Sequence, residues 1–86
     1  MLSFPNQSRA YDVAGDRVRF WGHDGAFEIP FFLQLDALIR LYPRTTNTEA
    51  GILAAFDAGR SRIYEIASKA YSRGRRSFYV LGAENF

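Results

Sequence analysis

The chain has 86 residues, 48% of them hydrophobic and 16% aromatic, with a net charge of +2; that suffices for one domain with a real core over residues 1–86 and excludes a disordered chain. There is no cysteine, which excludes a disulfide framework or thiolate metal site and fits a reducing cytoplasm. No apolar run approaches the ~18–20 residues of a membrane span, and no basic segment leads into an apolar run as in a signal peptide.

Residues 2–4 alternate as a short strand would, and Pro5 stops it. Residues 6–15 are polar and read as a loop. The clearest β signal follows: residues 16–23 and 26–33 flank Asp24-Gly25, a strong hairpin dipeptide. A two-residue turn places Phe20 opposite Ile29, and a four-residue loop over residues 22–25 places Phe20 opposite Phe27 and Arg19 opposite Glu28. Both keep Val18, Phe20, Phe27, Ile29 and Phe31 on one face, because the side-chain period is two. In both registers the N–H that Pro30 lacks falls at a hydrogen-bonded position. The four-residue loop puts that loss at the end of the ladder and is preferred.

Leu35, Leu38, Ile39 and Tyr42 follow helical spacing in a short helix that Pro43 ends. Gln34 is its N-cap, a poor one. Thr46-Asn47-Thr48-Glu49 matches a capping box, and Gly74 offers a stop. Between them Ile52, Phe56, Gly59, Ile63, Ile66, Ala67 and Ala70 hold one helical face without a phase break. The spacing therefore predicts one helix over about residues 47–73, with Gly59 as its weak point and as a place of close approach to the sheet. A straight helix of that length would measure ~40 Å, against ~30 Å for a body of this size, so it either overhangs the body or kinks near Gly59, and the continuous phase favours one helix. Residues 77–81 alternate Phe78/Val80 with Tyr79/Leu81 as a last strand. The expected fold is α+β: a small antiparallel sheet packed on one short and one long helix, in the order β-β-β-α-α-β.

The segments RVRFWGHDGAFEIPFF, AGILAAFDAGRSRIYEIASKAYSRGRR and SFYVL, with the opening LSFPNQSRAYD, resemble the small bacterial family catalogued as domain of unknown function 1488. The resemblance covers nearly the whole chain. Gly59 stands where that family usually has Asn, and Gln34 where it has a better cap. The resemblance implies a compact α+β domain in bacteria and brings no activity, cofactor or catalytic residue.

Two surfaces stand out. The second face of the hairpin collects Arg17, Arg19, Trp21, His23, Glu28 and Phe32. Tryptophan and arginine concentrate at protein interfaces, and rings with arginines also form nucleic-acid platforms. The ordinary alternative is rings packed under a loop with the arginines in water. The second surface is basic. Residues 1–59 carry five arginines against seven acids, whereas residues 60–76 carry six cations against Glu65 alone. Arg62, Lys69, Arg73, Arg75 and Arg76 could track phosphates, yet Glu65 four residues before Lys69 is the order of an ordinary helix ion pair. His23 beside Asp24 reads as a solvated turn residue rather than a general base. One histidine without cysteine suggests no metal site, and the glycines form no phosphate loop. The sequence thus points to a non-catalytic, cofactor-free module. Its partner is a protein or a second copy, met through Arg17, Arg19, Trp21 and Phe32 or through sheet edges. Nucleic acid on the basic stripe is the alternative, and an enzyme ranks last.

Overall fold

The hairpin organises the molecule. In the structure, a computed structural model that describes residues 1–74 and 76–86, β3 (Arg17–Asp24) and β4 (Phe27–Gln34) pair along their whole length, from Arg17 opposite Gln34 to Asp24 opposite Phe27. The loop is therefore Gly25-Ala26, an even one. It lies one step later than Asp24-Gly25, and neither register expected from the sequence is found. Gly25 sits at φ 61° while Ala26 keeps an ordinary φ, the pattern of a type II′ turn, whose first position favours glycine. Phe20 faces Phe31, and Arg19 faces Phe32 rather than Glu28, which faces His23.

This register resolves the difficulty at Pro30. The Leu35 N–H donates to the Asp16 carbonyl at 3.0 Å. Hydrogen-bonded pairs alternate in an antiparallel ladder, so Val18/Leu33, Phe20/Phe31 and Asp24/Phe27 are bonded pairs and Trp21/Pro30 is not. The proline nitrogen points away from β3, and the ladder runs past it to Gln34 instead of ending there. The parity of the faces is as expected: Val18, Phe20, Phe31 and Leu33 are buried. Phe27, on the same face near the hairpin tip, is 74% exposed.

Two short strands flank the other side of β3. They are β1 (Leu2–Ser3) and β2 (Arg9–Asp12), both antiparallel to it. β2 lies within the segment read as loop. A second hairpin joins it to β3 through residues 13–16, where Asp16 adopts φ 53° and its carboxylate accepts from the Tyr11 hydroxyl at 2.7 Å. The last strand, β5 (Tyr79–Leu81), pairs with β4 in parallel, Phe31 opposite Tyr79 and Leu33 opposite Leu81. The sheet is thus mixed, not antiparallel. β5 is reached by way of three helices, a crossover long enough for the parallel pairing that a tight hairpin cannot make. The observed order is β-β-β-β-α-α-α-β, with a short 3-10 turn at Ala83–Asn85.

The helices cover one face. α1 (Leu35–Leu41) begins at Gln34, whose side chain makes no capping bond, and ends before Pro43. α2 (Glu49–Ala58) is capped by Thr48, whose hydroxyl accepts from the Gly51 N–H at 3.0 Å. The cap is therefore two residues later than the Thr46 box suggests. α3 (Arg60–Ser72) follows immediately, so the expected single helix is two, broken at Gly59. A Cβ at Gly59 would stand 2.8 Å from the Tyr42 ring and 2.9 Å from the Leu41 side chain. The close approach that glycine permits is thus to the end of α1, not to the sheet. Arg60 clamps the bend: it donates to Asp57 at 2.8 Å, to the Tyr64 hydroxyl at 2.5 Å and to the Gln7 carbonyl at 2.7 Å. Arg9 of β2 adds a two-pronged pair with Asp57 at 2.9 and 2.8 Å. The longest dimension of the molecule is 35 Å, shorter than the unbroken helix would have been. Ala37, Leu38, Ile52, Phe56, Ile63, Ile66 and Ala67 close over the sheet as one core, with Tyr79 and Leu81 of β5 inside it.

Candidate interaction surface

With all helices on one side, the alternation of β3 and β4 sends Arg17, Arg19, Trp21 and Phe32 to the other side, and among the described residues no element covers them as a layer. The sequence placed these four residues on one face, and the structure brings them together. The Arg17 guanidinium lies 4.0 Å from the centre of the Phe32 ring. Arg19 lies 5.1 Å from Trp21 and 5.8 Å from Phe32. Such contacts contribute ~0.5–1 kcal/mol each at exposed sites, enough to hold long side chains flat on the rings. Arg17 is also fixed from the neighbouring strand: its Nε donates to Asp12 at 3.0 Å. That bond first, and the Gly15 N–H second, hold the Asp12 carboxyl below its ordinary range.

The sequence reading missed two residues of this face. β5 lies beside β4 with Val80 opposite Phe32, so Val80 and Phe78 extend the surface. They are 42% and 51% exposed, and the Phe78 ring meets Phe32 edge-on at 6.0 Å. Their alternation was legible; which face they join depends on the neighbour of β5. His23 lies at the tip end of the same face, its Nε2 3.9 Å from Glu28. That nitrogen is buried and has no hydrogen-bond partner among the described residues.

The basic stripe is less uniform than the sequence suggested. Arg62 donates to Glu65, so Glu65 takes the arginine three residues before it rather than Lys69. Lys69 on α3 and Arg73 just after it are exposed, and Arg76 lines a cleft of about 490 Å³ at the hairpin tip with Asp24, Phe27 and Tyr71. Arg75 lies outside the described residues. His23 is not in the lining of that cleft. Among the described residues no group of three or more histidines and carboxylates is placed to hold a metal ion, and no helix is long and apolar enough to cross a membrane.

Comparison with known proteins bears on family and fold. No curated protein matches the chain. A crystal structure of a protein of unknown function from the DUF1488 family of Shewanella loihica PV-4 superposes with a TM-score of 0.82 at 19% identity, over 93% of this chain and 90% of that one. That likeness carries the fold. The family model described as protein of unknown function (DUF1488) matches residues 2–81, the whole sheet and all three helices, and the chain therefore belongs to the DUF1488 family.

Proposed function

We propose that the chain is a small non-catalytic interaction module that binds a protein surface through the open face of its sheet. One observation carries this reading: the helices take one face, and the other presents Trp21, Phe32, Phe78 and Val80 framed by Arg17 and Arg19. Aromatic and arginine side chains dominate the energetics of protein interfaces. The arginines also weigh against reading this face as a nucleic-acid platform. A base stacks on a free ring face, and here guanidiniums already lie over Phe32 and Trp21. The absence of cysteine fits a module working in the reducing cytoplasm.

The test is a comparison of wild type with Val80→Glu, which places a charge on the apolar part of the face, beside Phe32, without touching the core. Light scattering reports self-association, and capture on the immobilised chain reports host proteins. The expected result is an associated species, or a retained protein, that the substitution abolishes while the thermal midpoint stays within a few degrees. A wild-type chain that neither self-associates nor retains anything that Val80→Glu fails to retain would overturn the proposal.

A further inference from the structure

The open face is polarised along its strands. At one end stand Asp12, Arg17 and Arg19, a carboxylate and two cations; at the other stands Glu28 beside His23. Asp12 is taken up by Arg17, whereas Arg19 has no carboxylate within ion-pair distance among the described residues. Glu28 has only the His23 ring at 3.9 Å and stays 56% exposed. Beside Arg19 and running toward Glu28 lies an apolar strip: Phe32 and Val80 level with Arg19, then Trp21 and Pro30, with Phe78 against Phe32. One surface therefore carries an unsatisfied cation, an apolar strip and an under-used carboxylate. Such a pattern is complementary to itself when one copy is turned end for end.

We infer that the occupant of this face is a second copy of the chain, related by a two-fold axis that lies between the two sheets and runs across the strands. This rests on the reading of the open face as an interaction surface. The rotation lays the Arg17/Arg19 end of one copy over the Glu28 end of the other, twice by symmetry. It sets Trp21 over the partner's Arg19, and Phe78 over the partner's Val80. Sheets packed face to face stand ~10 Å apart, a gap that an arginine and a glutamate span together.

Sedimentation equilibrium of the full chain over a range of concentrations tests this. The wild type is expected to dimerise, more weakly as salt rises. Arg19→Glu and Glu28→Arg should each raise the dissociation constant about tenfold or more. The double variant Arg19→Glu/Glu28→Arg, which exchanges the charges, should recover to within about threefold of wild type. Thermal melts confirm that each variant is folded. A monomeric wild type, a dimer indifferent to both single changes, or losses that add in the double variant would each overturn the second-copy inference. A monomer that still retains a host protein in a Val80-dependent way overturns this inference alone. A dimer untouched by Val80→Glu overturns the open-face reading as well.

Discussion

Phe20 and Trp21 are neighbours on one strand and live in different worlds. Phe20 points under the helices and meets Phe31 at 5.2 Å, Phe56 at 5.2 Å, Tyr64 at 5.9 Å and Phe4 at 6.2 Å. Trp21 points outward and meets a guanidinium. The two faces of the sheet are built from similar aromatic material, yet on one face the rings are sealed by other rings and on the other they are framed by charge. The contrast teaches that aromatic content alone does not mark a core. What neighbours the ring decides whether it holds the fold together or is offered to something else.

The largest test of that contrast substitutes both neighbours. Phe20→Ala should cost about 3–5 kcal/mol, the range for emptying a buried aromatic site, and should leave the domain marginally folded in urea titrations. Trp21→Ala should cost about 1 kcal/mol or less. Equal costs would mean that the open face stabilises the monomer and would break the comparison. Next in size is Gly59→Val. The added side chain collides with Leu41 and Tyr42, so a loss of about 1–3 kcal/mol is expected, read from the urea midpoint, with the open face unaffected. Thr48→Ala removes the hydroxyl that caps α2 and should cost about 1 kcal/mol by the same measurement.

The smallest expected effect concerns acid. Asp57 lies 41% exposed between Arg9 and Arg60. The hydrogen bond from Arg9 foremost, then Coulomb attraction and the bond from Arg60, hold its carboxyl below the ordinary 3.8, against the opposing effect of burial. A carboxyl whose folded pKa is depressed contributes stability above its unfolded pKa and loses it as pH falls through the folded value. The pair should therefore stabilise the protein fully at neutral pH and fade below pH ~4. Asp57→Asn should flatten the acid side of the stability profile and cost under about 1 kcal/mol at neutral pH, since the pair is solvent-screened. An unchanged acid slope would show that the clamp at the helix bend is held by other contacts.

The parts of the molecule that follow from local periodicity were legible in the sequence. The inward set Val18, Phe20 and Phe31 and the outward set Arg17, Arg19, Trp21 and Phe32 depend only on the parity of the hairpin loop, and any even loop preserves it. The register did not follow, because shifts by two residues keep the same faces and differ only in the turn that glycine occupies. Pro30 was read as a fault in the ladder because its position was judged in the wrong registers. β2 was hidden because Arg9 is an inward position satisfied by a distant partner, Asp57, and nothing in a polar stretch announces such a partner. The helix break was hidden by a hydrophobic phase that runs straight through Gly59; the bend is imposed by the packing of α1 and by Arg60. The direction of β5 could not be read from the alternation of residues 77–81, since a helical crossover permits a parallel return without requiring it. Phe78 and Val80 escaped the candidate surface because the alternation does not say which strand β5 joins or which of its faces points outward.

Pro30 has one more effect. β5 pairs with β4 only from Phe31 to Leu33, so residues 27–30 of β4 leave their outer edge without a neighbour in the sheet. On that edge the outward N–H groups belong to the non-bonded positions, Glu28 and Pro30, and the second of these has none to give. A foreign strand approaching the edge meets one donor and a ring where it needs a ladder, with the charge of Glu28 beside it. The same proline that β3 tolerates without cost thus guards the chain against edge-to-edge aggregation, and Pro30→Thr should leave the fold intact while shortening its lifetime in concentrated solution.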